Sequence, residues 1–147
     1  MPEPVWVSRV VLDAVHLDQV REHGGMHGVR DENVLESALA TARNRWAYEP
    51  LSDLATLAAA YGFGLATGHP YRDGNKRIAF LAMVIFLGLN GWDLDAPEPE
   101  VVSTMLAVAA GECAEPELAE WLRSRIVPAP PAQRAGAARR ALEGGRV

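Results

Sequence analysis

The sequence predicts an all-α fold, and three observations support this prediction. Apolar residues recur at helical spacing along most of the 147-residue chain, whereas alternating strand patterns are nearly absent. The helical runs are separated by short segments rich in Gly, Pro, Asn and Asp, the residues that cap or end helices. The length and a hydrophobic content of 49% suit one domain with its own core.

The apolar spacing predicts six helices, and their ends follow from local residues. Gly24 ends the first helix, because paired glycines stop helices, and Asp31 is a suitable N-cap for the second. Ser52 is expected to cap the third helix, after an irregular segment at 45–51, and residues 92–94 are expected to form a short connector. The six predicted ranges are 12–22, 31–44, 54–66, 74–89, 100–110 and 115–127.

Composition and charge exclude several functional classes. The net charge of −5 argues against broad nucleic-acid binding, which needs basic surface. Cys113 is the single cysteine, so no intrachain disulfide forms and a reducing compartment is compatible. The longest apolar run, 78–89, is shorter than the roughly 20 residues of a membrane span. No secretory signal is visible, so we expect a cytoplasmic protein.

The composition changes after residue 127, which predicts a domain at 1–127 and a Pro/Ala/Arg-rich tail at 128–147. The residues at 128–131 have the composition of a stiff linker. The tail carries four arginines against one glutamate, a net charge of +3, which leaves −8 for the domain. We expect this tail to be a poorly ordered terminus, with a weak partner-docking or nucleic-acid arm as the alternative.

Residues 69–77, His-Pro-Tyr-Arg-Asp-Gly-Asn-Lys-Arg, concentrate polar side chains between two very apolar predicted helices. The start of a helix binds anions through its free main-chain N–H groups and its dipole. Gly74 allows a ligand to approach the main chain, and Asn75, Lys76 and Arg77 add donors and positive charge. The segment therefore predicts a phosphate-binding site.

Two further side chains of this segment predict a reaction at the phosphate site. Asp73 offers an oxygen ligand suited to Mg²⁺, which usually arrives with substrate phosphates. His69 is placed to take a proton from an attacking hydroxyl. A base, a metal carboxylate and a phosphate cradle within nine residues together predict phosphoryl or nucleotidyl transfer.

This segment resembles the motif of the Fic/Doc family, His-Pro-Phe-x-(Asp/Glu)-Gly-Asn-Gly-Arg, in the form of its Doc (death-on-curing) branch. Tyr71 stands for the usual Phe, and Lys76 is the Doc-like residue at the position of the last Gly. The resemblance covers roughly residues 16–122. Similar residues outside the motif are Gly24, Gly25, Gly28, Arg30, Asp31, residues 35–38, Asn90 and Gly91.

The resemblance implies a compact helical bundle with the motif loop between two central helices. His69 would be the general base, and Asp73 would hold Mg²⁺. The anion hole for the phosphates of ATP would consist of Gly74, Asn75, Lys76 and Arg77. The typical Fic protein has Gly at the position of Lys76 and transfers AMP to a protein hydroxyl, whereas Doc-like proteins are associated with transfer of the γ-phosphate.

The Doc branch also implies biological partners. The chain would be the toxin of a type II toxin–antitoxin system that modifies a translation elongation factor, with elongation factor Tu as the implied target. Its implied partner is a Phd-like antitoxin whose C-terminal segment folds over the toxin, and no membrane or direct nucleic-acid partner is expected. Fic-type AMP transfer and a non-catalytic, antitoxin-binding or regulatory module remain alternatives.

Three other groups of residues bear on the function. Doc-like proteins can carry an arginine two residues before the motif histidine that helps to hold ATP. This chain has Thr67 at that position, so Arg43 or Arg45 is the candidate to replace the arginine. The basic and aromatic segment at 43–48 is interpreted either as a solvated loop or as a flap over the site. The histidines at 23 and 27 have metal-ligand spacing, but the glycines between them argue against a zinc site.

Overall fold

The computed structural model describes residues 2–130, and it confirms the predicted all-α class. Over these residues the chain forms six helices and one two-stranded antiparallel sheet. The predicted tail falls almost wholly outside the described residues. The elements are α1 (Arg9–His23), α2 (Glu32–Tyr48), α3 (Leu54–Gly68), α4 (Asn75–Leu89), β1 (Trp92–Leu94), α5 (Glu98–Ala109), α6 (Glu115–Arg125) and β2 (Ile126–Pro128).

The core is built around α3 and α4. Nine of the fifteen residues of α3 are buried, because this helix packs against α2 on one side and α4 on another. Small residues permit the close approach: a Cβ at Gly64 would lie 3.2 Å from the Cβ of Ala38, and Gly62 lies against the side chain of Met83. The six residues between α3 and α4 form the motif loop, as the resemblance implied.

One predicted helix N-cap is confirmed and another is wrong. Asp31 caps α2 by accepting from the N–H of Val34, as predicted. The predicted cap of α3 was wrong, since Asp53 and not Ser52 accepts from the N–H of Thr56, at 2.8 Å. Ser52 instead closes a turn through its main-chain N–H, which donates to the carbonyl of Glu49.

The second helix is longer than predicted. Residues 45–48 were expected to be irregular, but α2 continues to Tyr48 before Pro50 breaks the pattern. Contacts from distant parts of the chain explain the extension. Trp46 packs edge-on against Trp6, with ring centroids 6.2 Å apart, and Arg45 pairs with Glu115 at 2.8 Å. The segment at 43–48 is therefore helical, so both the loop and the flap interpretations of it were wrong.

The two short strands were not predicted. Residues 92–94 pair with residues 126–128, so α6 ends at Arg125 and the last residues of the predicted helix are extended. The side chain of Asn90 fixes the N-terminal segment to the same region, because its Oδ1 accepts from the N–H of Val5 and its Nδ2 donates to the carbonyl of Val5.

The fold includes the first residues of the predicted linker. Pro128 belongs to β2, and the N–H of Ala129, a buried residue, donates to the carbonyl of Gly91 at 3.0 Å. Among residues 2–130, no helix is both long enough and apolar enough to cross a membrane.

Asp53 generates a prediction about stability. It caps α3 and also accepts hydrogen bonds from Arg123 at 2.7 Å and 3.1 Å. Replacing Asp53 with Ala is expected to lower the free energy of unfolding by about 1 kcal/mol at neutral pH, mainly through loss of the cap. D53N retains a capping oxygen without the charge and is expected to lose less. Urea unfolding monitored by far-UV circular dichroism measures both variants.

The same carboxylate gives a pH dependence with a defined sign. The hydrogen bonds from Arg123 hold the pKa of Asp53 at about 2, below its ordinary 3.8. A carboxyl whose pKa is depressed in the folded state contributes stability above its unfolded pKa, and this contribution is lost as the pH falls towards 2. D53A should therefore lose less stability than the wild type over this interval. Equal acid-induced losses in the two proteins would contradict the assignment.

Candidate active site

The motif loop reverses the chain between two central helices with a left-handed residue at each end. His69 ends α3 at φ 50° and ψ 53°, and it is the one non-glycine residue with positive φ in the described chain. Gly74 precedes α4 at φ 75° and ψ 19°, a conformation that glycine adopts at little cost. The side chain of His69 is exposed, so its imidazole is open to a substrate.

The start of α4 offers unpaired main-chain donors. Gly74 provides no side-chain cap, and the helix ladder begins only where the N–H of Ile78 donates to the carbonyl of Gly74. No described residue accepts from the main-chain N–H groups of Asn75, Lys76 and Arg77. The side chains of Lys76 and Arg77 are exposed. Three free donors and two cations at a helix start fit the oxyanions of a phosphate.

Asn75 has a different role from the one its position suggested. Its side chain was expected to donate to the phosphate, but it is buried and bonded to the main chain of Tyr71 on both sides. Oδ1 accepts from the N–H of Tyr71 at 3.0 Å, and Nδ2 donates to the carbonyl of Tyr71 at 2.9 Å. Asn75 therefore shapes the loop with its side chain, and only its main-chain N–H is left to meet an anion.

Tyr71 is the aromatic anchor of the loop, and its hydroxyl adds a second attachment. The ring is buried and stacks on His16, with centroids 3.8 Å apart and planes 12° apart. The hydroxyl donates to Oδ1 of Asp13 at 2.7 Å. Burial, together with the neighbouring Asp13 carboxylate, raises the pKa of Tyr71 well above its ordinary range, so the hydroxyl remains protonated. A further contact, from Arg9 to Oδ2 of Asp13, orients the carboxylate.

Asp73 keeps one oxygen available for a cation. Its Oδ2 accepts from the main-chain N–H of Met26 at 2.6 Å, and Oδ1 has no hydrogen-bond partner among the described residues. Its main-chain carbonyl accepts from Nε2 of the buried His16 at 2.8 Å, so His16 has a structural role in holding the loop. The described chain has no cluster of three or more acidic, His or Cys side chains placed to hold a metal. A single carboxylate oxygen fits a Mg²⁺ that shares its other ligands with substrate phosphates and water.

The segment at 24–31, between α1 and α2, covers the motif loop. Beyond the bond from Met26, the carbonyl of Gly28 accepts from the N–H of Arg72 at 3.1 Å, and Val29 bridges to Tyr71. Gly25 lies so close that a Cβ there would be 3.2 Å from the Cβ of Asp73. The sequence indicated that the paired glycines end a helix and that Gly25 and Gly28 resemble Doc-like residues. It did not indicate their contact with the site, which depends on residues more than 40 positions away.

Arg30 is a further residue of the site that local sequence patterns did not identify. Its Nε donates to the carbonyl of His69 at 2.7 Å, and its Nη2 donates to the carbonyl of Gly68 at 3.0 Å. The main-chain N–H groups of Arg30 and Asp31 both donate to the carbonyl of Pro70. Arg30 and Asp31 resemble residues of Doc-like proteins, and this resemblance was the signal in the sequence that could have identified them.

The candidate replacements for an arginine at position 67 do not reach the loop. Thr67 is exposed, and its hydroxyl donates to the carbonyl of Phe63 within α3. Arg45 pairs with Glu115, and the guanidinium of Arg43 lies over the ring of Trp6 at 5.7 Å. Both contacts are near the C-terminal end of α2, whereas the loop lies at its N-terminal end. Neither candidate, Arg43 nor Arg45, therefore takes the place of that arginine.

Two other groups considered in the sequence lie apart from this arrangement. Gly24 ends α1, so His23 and His27 are not on one helix, and the helix stop is confirmed. Cys113 lies between α5 and α6 as predicted, half-buried, where desolvation raises the pKa of its thiol.

Comparisons with known proteins agree with the geometry. The model of the Fic/DOC family matches residues 6–87, which contain α1 to α3, the motif loop and all but the last two residues of α4. Protein kinase doc from Escherichia phage P1 is 32% identical over 117 residues, covering 80% of this chain and 92% of the relative. These findings confirm the resemblance that the motif indicated. The chain belongs to the Fic/DOC family.

Proposed function

We propose that this protein is a Doc-like toxin that transfers the γ-phosphoryl group of ATP to a hydroxyl of a protein target. The observation that carries the proposal is Lys76 at the second position of α4, beside free main-chain donors and in the same motif as an exposed His69. The lysine adds bulk and charge to the anion hole where typical Fic proteins have Gly. The relative from phage P1, which is named as a protein kinase, supports phosphoryl transfer over AMP transfer.

In this reaction His69 takes the proton of the attacking hydroxyl on its imidazole. A bond forms between the hydroxyl oxygen and the γ-phosphorus, the bond from the γ-phosphorus to the β–γ bridging oxygen breaks, and ADP leaves. The phosphate oxygens bind to the N–H groups at the start of α4 and to Lys76 and Arg77, with Gly74 allowing their close approach. Most of the work of the protein is positioning and charge stabilisation.

Asp73 is the proposed Mg²⁺ ligand through its free Oδ1. When bound, the cation neutralises charge on the phosphates during transfer. The bond from Met26 to the other oxygen fixes the direction of the carboxylate, so the free oxygen is held in place before substrate arrives.

The target and partner in this proposal follow the Doc branch. The target is a translation elongation factor, elongation factor Tu. Its modification in the cytoplasm blocks translation, and growth of the cell stops. A Phd-like antitoxin neutralises the toxin. The residues at 131–147 have no assigned part in this proposal.

Two alternatives compete with phosphoryl transfer. Fic-type AMP transfer would use the same base and anion site with the nucleotide bound in the opposite direction. A non-catalytic regulatory module is favoured by Thr67, which supplies no positive charge at the last turn of α3. The experiments below distinguish all three.

Labelled ATP tests the reaction directly. Incubation with elongation factor Tu is expected to transfer label from the γ position and not from the α position. H69A is expected to lower the transfer rate about 10²-fold or more, because the general base is removed. H23A, which alters an exposed histidine at the end of α1, is the matched control and should retain the wild-type rate.

Label arriving only from the α position would replace the proposal with AMP transfer. Growth provides the second arm of this experiment. Expression of the wild type is expected to arrest growth, and H69A is expected to relieve the arrest. Full arrest by H69A would favour the non-catalytic module.

Mg²⁺ dependence tests Asp73. Chelation of divalent cations is expected to stop transfer, and D73N is expected to require a higher Mg²⁺ concentration for half-maximal rate, because a neutral oxygen binds the cation more weakly. D93N, which changes an exposed aspartate in β1, is the control. A Mg²⁺ titration of the transfer rate measures the difference. An unchanged titration curve for D73N would remove Asp73 from the metal site.

Lys76 is expected to decide which phosphate enters the anion hole. K76G, which restores the typical Fic residue, is expected to lower γ-label transfer and raise the ratio of α-label to γ-label on the target. K76R retains the charge and the bulk, so we expect it to keep γ-label transfer. Identical label ratios in K76G and the wild type would show that the side chain does not select the phosphate.

A further inference from the structure

The C-terminal end of α3 differs from the other helix ends in the described chain. In α1, α2, α4, α5 and α6 the main-chain N–H of the C-cap residue donates back to a carbonyl of the helix. His69, which ends α3, makes no such bond. Pro70 follows it and has no N–H at all, so the usual main-chain closure of a left-handed helix end is unavailable.

Arg30 replaces the missing main-chain donors. Its Nε and Nη2 donate to the carbonyls of His69 and Gly68, at 2.7 Å and 3.0 Å. Its own N–H and that of Asp31 donate to the next carbonyl, that of Pro70, at 2.7 Å and 3.1 Å. Three consecutive carbonyls around His69 are therefore held by two adjacent residues. The guanidinium charge also lies at the negative end of the α3 dipole.

The conformation of His69 is unfavourable without such support. A non-glycine residue at φ 50° persists only where its surroundings fix it, although histidine tolerates this region better than most residues. Arg30 makes no ion pair with the acidic side chains of the described residues, so its side-chain bonds serve the end of α3 alone. Its main chain is fixed in turn, because Asp31 is the N-cap of α2.

We propose that Arg30 is a positioning residue that holds His69 in the left-handed conformation from which its imidazole meets the substrate hydroxyl. The inference rests on the proposed role of His69 as general base. The free N–H groups at the start of α4 take no part in this arrangement, so loss of Arg30 should slow the chemical step and leave nucleotide binding largely intact.

Two variants of Arg30 and one control test the proposal in the full chain. R30Q removes the charge and the two-pronged donor geometry, whereas R30K keeps the charge and loses the geometry. R123Q is the matched control, because Arg123 bonds to Asp53 at the opposite end of the same helix. We expect R30Q to lower kcat on the order of 100-fold with little change in KM for ATP, R30K to lie between, and R123Q to keep the wild-type kcat.

A second readout does not depend on activity. In NMR spectra the intraresidue NOE between the amide and α protons is strong at positive φ, so it reports the conformation of His69 directly. We expect this NOE to weaken in R30Q and to stay strong in R123Q. If R30Q fails to fold, R30K is measured in both ways.

The outcomes separate this inference from the proposed function. A folded R30Q or R30K with the wild-type kcat and an unchanged His69 NOE overturns the positioning role. A lower kcat with a weaker NOE supports it, and a raised KM for ATP at constant kcat overturns it in favour of direct nucleotide binding. If the wild type transfers no label, the proposed function fails, and the NOE still shows whether Arg30 fixes His69.

Discussion

The short reversal of the chain between α3 and α4 is the constraint on which the rest of the site depends. Both helices are packed in the core, and six residues connect them, so the loop cannot satisfy its own main-chain polar groups. Partners must come from elsewhere: the side chain of Asn75, the ring of His16 and the segment at 24–31. The site therefore consists of the loop together with these three partners, which bind its main chain.

The two helix ends that meet at this loop differ electrostatically. The carbonyls at the end of α3 are covered by Arg30, so the negative end of that dipole is compensated. The N–H groups at the start of α4 have no cap, and Lys76 and Arg77 add charge of the same sign. The local field attracts anions although the whole chain carries a net charge of −5. Net charge says little about a site whose charges are arranged in this way.

Local features were predictable from the sequence, and long-range pairings were not. Asp31, the helix stop at Gly24 and the motif loop depend on neighbouring residues, and the structure agrees with them. The true end of α2 depends on Trp6 and Glu115, and the cap at Asp53 is reinforced by Arg123. No pattern within one helix contains that information.

The same distinction applies within the site. The residue types of the motif indicated a base, a metal ligand and a phosphate cradle before any geometry was known. The buried role of the Asn75 side chain, the bond from Met26 to Asp73 and the contacts of Arg30 depend on how the chain folds back on itself. The periodicity of apolar residues could not have revealed these three features. Two of them are contacts between residues of different elements, and the third depends on the inward direction of one side chain.

The turn after α4 joins the beginning of the described chain to its end. Asn90 bonds to Val5, 85 residues upstream, and Gly91 accepts from Ala129, beyond β2. Neither α1 nor the motif loop supplies these contacts. The C-terminal end of α4 is therefore complete only when residues near positions 5 and 129 are both in place. Contacts between residues so far apart in the chain cost loop-closure entropy before they stabilise the fold, which places this end of the bundle among the late steps of folding.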